Sequence, residues 1–286
     1  MNQDYIEFKK QRELGEIISI TFKFLRENYK SGGKIFLKLV GPAFLLLIAA
    51  VTYYAWSTLG TSFLGTAGLN MSDFIISGGL LILAYLLYMT SMTGTIYHII
   101  LSYINNNGTI DTSEVSAGLK HDFGKILLVS LISWALILAG TLLLVIPGIY
   151  VAIPLSLASA VLVFRNNGAI DSISDCFDLV KSNWWSTFGT LFCVGIIVYL
   201  ISLVFQLPTI VYMMVKAFVS ANEQSASGSF TDQLGTGYII LNVITTIIQY
   251  LVYSITPVAI AFIYFNLNEK KNYTGTYETI QNLGKQ

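Results

Sequence analysis

The side chains able to do chemistry are few and scattered. Of the two histidines, His98 lies in an apolar run and His121 in a polar one. No His-Glu-x-x-His, no Ser-His-Asp arrangement and no carboxylate pair inside an apolar run occurs. Metal-assisted and triad hydrolysis therefore lack their acid, base and ligand groups. His98 reads as a hydrogen-bonded packing residue and His121 as a solvated one. Cys176 and Cys193 show no CxxC or Cys/His metal spacing and read as free thiols. Asp171, Asp175 and Asp178 share one side of a helical pattern, which reads as a solvated face rather than a cation site. These residues predict no enzymatic activity, no metal and no cofactor.

What remains is binding chemistry. Asn242, Thr246 and Gln249 fall on one face of an apolar helix, with Thr245 beside them. Uncharged polar groups at such positions hydrogen-bond between helices or line a wet path for a polar substrate. Arg26, Lys120 and Lys181 each stand just before an apolar run. Cations placed there meet lipid phosphates, so these three are the predicted headgroup contacts.

The elements that must position these residues are membrane spans. The chain is 54% hydrophobic and 11% charged, with mean hydropathy +0.66. Average soluble domains carry roughly 25% charged residues. A helix of about 20 apolar residues crosses the hydrocarbon core. Runs at 35–57, 74–103, 126–146, 148–165, 187–218 and 237–266 meet that length, and none contains Asp or Glu. The fifth run is longer than a bilayer needs, which predicts a tilt, a kink at Pro208 or an extension beyond the membrane. Ile146-Pro147-Gly148-Ile149 reads as a hairpin corner on the outer side, separating the third and fourth spans.

Charge sets the orientation. Net charge is zero, which argues against a nucleic-acid partner, but 15 of the 16 basic residues fall on one side of the predicted spans. The positive-inside rule makes that side cytoplasmic, with both termini on it. Trp184 and Trp185 would mark the inner interface, and Tyr53, Tyr54 and Trp56 the outer one. Residues 1–38 carry eight basic and five acidic side chains, net +3, a charge that attracts anionic headgroups. The expected layout is a cytoplasmic amphipathic segment over 1–34, a six-helix membrane domain over 35–268 and a cytoplasmic tail over 269–286.

A short pattern recurs before the inbound spans: Leu25-Arg26-Glu27-Asn28-Tyr29, Leu119-Lys120-His121-Asp122-Phe123 and Val180-Lys181-Ser182-Asn183-Trp184. It predicts an all-α polytopic bundle of three units, each an amphipathic helix followed by a membrane hairpin. In the third unit Ile170, Ile173, Phe177, Val180 and Trp184 form an apolar stripe at spacings of three and four. Such a stripe suits a helix lying in the headgroup plane.

The third span, the Ile146–Tyr150 corner, Ala169-Ile170-Asp171-Ser172, Lys181 and Trp184-Trp185 resemble the membrane domain associated with glycerophosphoryl diester phosphodiesterases, over about 125–200. The resemblance implies a helix bundle in a bacterial cytoplasmic membrane. It carries no activity across, because no residue here matches that enzyme class's metal-binding carboxylates. The expected role is lipid interaction or scaffolding of a membrane assembly. The expected partners are membrane lipids, anionic ones included, and a membrane protein or a second copy of the chain. The rival expectation is a transporter or channel for a small polar or amphipathic substrate.

Overall fold

A computed structural model describes residues 5–59, 71–222 and 230–283. The described residues form helices and connecting turns, without a strand. In chain order the helices are α1 (Leu14–Leu59), α2 (Met71–Asn105), α3 (Thr112–Leu143), α4 (Val145–Leu155), α5 (Ala158–Arg165), α6 (Ala169–Val180), α7 (Trp184–Asn222), α8 (Phe230–Val252), α9 (Ile255–Asn272) and α10 (Thr274–Leu283). A 3₁₀ turn, Lys181–Asn183, joins α6 to α7.

Six helical stretches are long and apolar enough to cross a membrane: Leu14–Ala55, Met71–Asn105, Thr112–Leu143, Val145–Arg165, Ala169–Val219 and Gly237–Asn272. They contain the predicted runs, except that the first stretch ends at Ala55, short of residue 57, and the third at Leu143, short of residue 146. Large apolar side chains stand exposed along them, Ile82 at 64%, Met214 at 67% and Leu142 at 79% among them. Water would penalise that much bare apolar surface, whereas lipid tails solvate it. The chain is an all-α, multi-pass membrane protein.

The chain divides into two compact units. The first comprises Met1–Val40, Thr90–Ile197 and Ser254–Gln286. Its core forms around Phe8, 1% exposed, which stacks on Phe262 at 4.5 Å between ring centroids and meets Phe24, Tyr103 and Phe265 edge-on. Polar bonds fix the segment that carries Phe8. Ile6 N donates to the Tyr103 hydroxyl at 2.9 Å, and Arg12 N donates to Asn266 Oδ1 at 2.8 Å. Between α2 and α3 the backbone turns through Asn107 and Gly108, both at positive φ, which Asn and Gly tolerate best. Glu114 closes this turn by accepting from Ser102 (2.7 Å), Asn105 (2.9 Å) and Asn106 (2.7 Å).

The second unit comprises Gly41–Met89 and Val198–Tyr253. Tyr88 is fully buried, and its hydroxyl donates to the Tyr250 carbonyl at 2.8 Å. Tyr85 and Phe44 pack around this pair. The Thr209 and Thr245 hydroxyls share a hydrogen bond of 2.9 Å, which ties α7 to α8 where lipid offers no polar partner.

Two expectations change. The first and second amphipathic segments do not end where their spans begin, because α1 and α3 run unbroken through both. Only the third copy is separated from its span, by the Lys181–Asn183 turn.

The hairpin corner falls at Leu144, in extended backbone (φ −163°, ψ 147°), and not at Pro147-Gly148. Pro147 sits in the first turn of α4, where its missing N–H leaves no gap in the ladder. Gly148 instead permits close approach. A Cβ there would lie 2.9 Å from the Thr141 backbone, and Gly140 faces it across the hairpin.

Burial varies along the stripe on α6, where Val180 is the buried member. Ser172, Cys176, Leu179 and Val180 are buried, while Ile170 is 76% exposed and Ile173 and Phe177 are half-buried.

The hairpin contact yields a test. Gly148→Ala is expected to lower stability by about 1–3 kcal/mol, because the added methyl forces α3 and α4 apart. Gly124→Ala, at a helical position with open space around it, is expected to be neutral or to gain about 0.5–1 kcal/mol. Thermal unfolding of the two variants in detergent separates these outcomes.

Candidate lipid-headgroup site

Among the described residues of the first unit, cavities open on either side of the start of α7. The larger, about 620 Å³, is lined by Lys181, Ser182 and Asn183 from the 3₁₀ turn. Its walls come from Ile146, Ile149 and Tyr150 of α4 and from Trp184, Trp185 and Phe188 of α7. The aromatic wall is ordered. Tyr150 stacks on Trp184 at 5.4 Å, Trp184 stacks on Phe188 at 5.4 Å, and Trp184 Nε1 donates to the Tyr150 carbonyl at 3.2 Å. Trp185 is 77% exposed beside them. A cation at the edge of an amphipathic aromatic wall is the arrangement side chains adopt at headgroup depth.

The Tyr150–Trp184 contact bears on depth. The sequence expectation puts the corner before Tyr150 on the outer side and Trp184 on the inner side. The fold instead brings the two rings into direct contact.

The predicted residues are not brought to one place. Arg26, Lys120 and Lys181 are all exposed and make no ion pair among the described residues, but they stand on α1, α3 and the 3₁₀ turn respectively. Of the three, only Lys181 lines either cavity. In the repeated pattern, Asn28 and Asp122 are buried, while the basic position before each is exposed. Asn28 Nδ2 donates to the Phe24 carbonyl at 3.1 Å. Asp122 accepts from His121 Nδ1 at 2.8 Å and from Lys125 Nζ at 3.1 Å. His98 Nε2 lies 3.3 Å from Asp122 Oδ2, outside hydrogen-bond geometry. Gly118 makes room for the His98 ring, which a Cβ would strike.

On α8, Asn242, Thr246 and Gln249 are half-buried, and Gln249 Nε2 donates to the Tyr253 hydroxyl at 2.7 Å. The buried, interhelical member of this polar group is Thr245. On the acidic face of α6, Asp171 and Asp178 are exposed, and two of the three carboxylates carry partners: Asp175 takes Arg165 at 2.8 Å, and Asp178 takes Lys271. Among the described residues no group of three His, Cys, Asp or Glu is arranged for a metal ion.

Sequence reasoning missed the smaller cavity, about 390 Å³, lined by Arg12, Glu13, Glu16, Ser186, Thr190, Asn266 and Lys270 among others. Arg12 folds back on its own segment. Its Nη1 donates to the Phe8 carbonyl at 3.1 Å, its Nη2 donates to the Glu7 carbonyl, and the guanidinium sits 5.5 Å from the Phe262 centroid. Burial lowers its pKa, against the pull of Glu7 and Glu16. The residues come from chain segments about 170 and 250 positions apart, so no local pattern announces them. Asn266, a lone amide closing an apolar run, is the one trace in the sequence.

Sequence reasoning also missed Glu269, 3% exposed, which caps α10. It accepts from Gly275 N at 2.7 Å, Thr276 N at 3.0 Å, and the hydroxyls of Thr276 (2.7 Å) and Thr274 (3.2 Å). The first amides of a helix lack internal acceptors and favour a negative group. Glu269→Gln is expected to loosen α10 by about 1–3 kcal/mol, the scale of a charged hydrogen-bond set. Hydrogen exchange at the α10 amides should quicken while exchange at the Phe8 core stays unchanged.

No curated protein and no solved structure matches the chain. Residues 114–267 match the family described as "Domain of unknown function (DUF7847)", a stretch covering more than half of the sequence, and the chain belongs to that family.

Proposed function

We propose that this is a non-enzymatic membrane protein that holds membrane lipids, anionic ones included, at its basic face. The observation that carries this reading is the larger cavity: an unpaired Lys181 with Ser182 and Asn183 at one edge, and an ordered wall of Tyr150, Trp184, Trp185 and Phe188. The polar edge suits a phosphate, and the aromatic and aliphatic wall suits the glycerol and upper acyl chains. The exposed Ile170 at the start of α6 adds apolar surface of the kind an interfacial helix presents to lipid.

In this reading the basic face is cytoplasmic, both termini lie there, and the membrane is the bacterial inner membrane, the last resting on the family resemblance of residues 125–200. A membrane-protein partner or a second copy would meet the same lipid-facing surface, which gives the protein a scaffolding role. The polar face of α8 lends transport less support, since Thr245 is spent on Thr209 and Gln249 on Tyr253.

Each basic residue near an anionic surface contributes about 1 kcal/mol. Reversing the charge in Lys181→Glu is therefore expected to cut retention of phosphatidylglycerol on the order of tenfold, read by native mass spectrometry of the full chain from mixed-lipid nanodiscs. Trp185→Ala should weaken retention of all lipids alike. Unchanged phosphatidylglycerol in the Lys181 variant would overturn the reading.

A further inference from the structure

The smaller cavity holds opposite charges that do not pair. Lys270 Nζ, in the last turn of α9, makes no ion pair or hydrogen bond among the described residues, and neither does the Glu13 carboxylate. Both line the same 390 Å³ space. Neutral donors face it too. Asn266 is 5% exposed, and its Oδ1 is fixed by Arg12 N at 2.8 Å, which leaves the amide Nδ2 without a partner among the described residues. The Ser186 hydroxyl is likewise unpartnered, and Thr190 points its hydroxyl hydrogen back to the Ser186 carbonyl at 2.8 Å, leaving its oxygen lone pairs free.

The Asn266 nitrogen, the Lys270 ammonium and the Ser186 hydroxyl line one space, and together they are a set of donors for a phosphate. Glu13 across the cavity is an acceptor for a cation. Glu16 is less available, since it accepts from Glu13 N at 3.3 Å. A purely anionic ligand would leave Glu13 facing its charge, and a purely cationic one would face Lys270. A ligand carrying both signs satisfies both ends.

We infer that this cavity binds the headgroup of a phosphate ester that carries a primary ammonium, the phosphatidylethanolamine class, with Lys270, Asn266 and Ser186 on the phosphate and Glu13 on the ammonium. The lipid form rests on the lipid-holding role proposed above. The recognition chemistry itself does not, because a soluble phosphoethanolamine ester presents the same groups. A primary ammonium also separates this headgroup from choline, whose methylated nitrogen has no hydrogen to give Glu13.

The test uses the delipidated full chain in detergent, titrated separately with phosphatidylethanolamine, phosphatidylcholine, phosphatidylglycerol and soluble glycerophosphoethanolamine, with binding read by native mass spectrometry. Phosphatidylethanolamine is expected to bind at least about tenfold tighter than phosphatidylcholine, a gap of about 1.4 kcal/mol. Glu13→Gln, an exposed and near-isosteric change, should erase that preference. Lys270→Gln should weaken ethanolamine and choline lipids together. Lys181→Glu should leave the ethanolamine preference intact, which separates this site from the larger cavity.

If phosphatidylcholine binds as well as phosphatidylethanolamine, or if Glu13→Gln leaves the ratio unchanged, the inference falls even while Lys181-dependent phosphatidylglycerol binding stands. If soluble glycerophosphoethanolamine matches the lipid and depends on Glu13 in the same way, the site stands and its lipid identity falls.

Discussion

The first unit depends on the seating of one aromatic ring. Phe8 lies outside any helix, yet it is almost wholly enclosed by Phe24 from α1, Tyr103 from α2, and Phe262 and Phe265 from α9. These helices come from the start, the middle and the end of the chain, and lipid tails give them little hydrophobic reason to hold together. The ring supplies a shared apolar contact, and stacked and edge-on aromatic pairs add about 0.5–1.5 kcal/mol each beyond burial. The segment that delivers Phe8 needs its own backbone partners. Tyr103 and Asn266 provide two, and Arg12 gathers the carbonyls of Glu7 and Phe8. The same bond to Asn266 orients its amide, so the packing of Phe8 and the shape of the smaller cavity are one arrangement.

Charge is handled by pairing where packing is tight and left open where cavities occur. Asp122, 5% exposed, is surrounded by His121, Lys125 and His98, and buried Glu269 is saturated by the start of α10. A carboxylate taken out of water persists only with such partners. On α6, Asp175 and Asp178 reach Arg165 and Lys271. Against that background the unpaired Lys181, Lys270 and Glu13 stand out, because each lines a cavity rather than a uniform surface. Ser186 lines both cavities, so the opening turn of α7 forms the wall between them.

Much of the architecture was legible in one dimension. An apolar run of about 20 residues without a carboxylate has few options other than a membrane helix, since its backbone must bond internally in lipid. The break between the third and fourth spans was legible too, though displaced from Pro147 to Leu144. Sequence marks proline and glycine as breakers. It cannot tell a glycine that turns the chain from one that lets Thr141 approach, because that depends on the helix across the hairpin. The stripe on α6 shows the same limit. Periodicity identified an apolar line through Ile170, Ile173, Phe177, Val180 and Trp184, and the packing of α3, α4 and α5 against α6 buried Val180 with Ser172, Cys176 and Leu179 while Ile170 stayed exposed.

By itself the sequence determined the helical class, the six long apolar stretches and the cationic position at Lys181, because hydropathy and spacing are properties of neighbours along the chain. The tertiary structure decided which cation meets an aromatic wall, that Tyr150 stacks on Trp184, and that Arg12, Glu13, Ser186, Asn266 and Lys270 line one space. Those facts depend on contacts between residues 34 (Tyr150–Trp184) to 254 (Arg12–Asn266) positions apart, and a side chain's role there is set by what the fold places opposite it rather than by its own type.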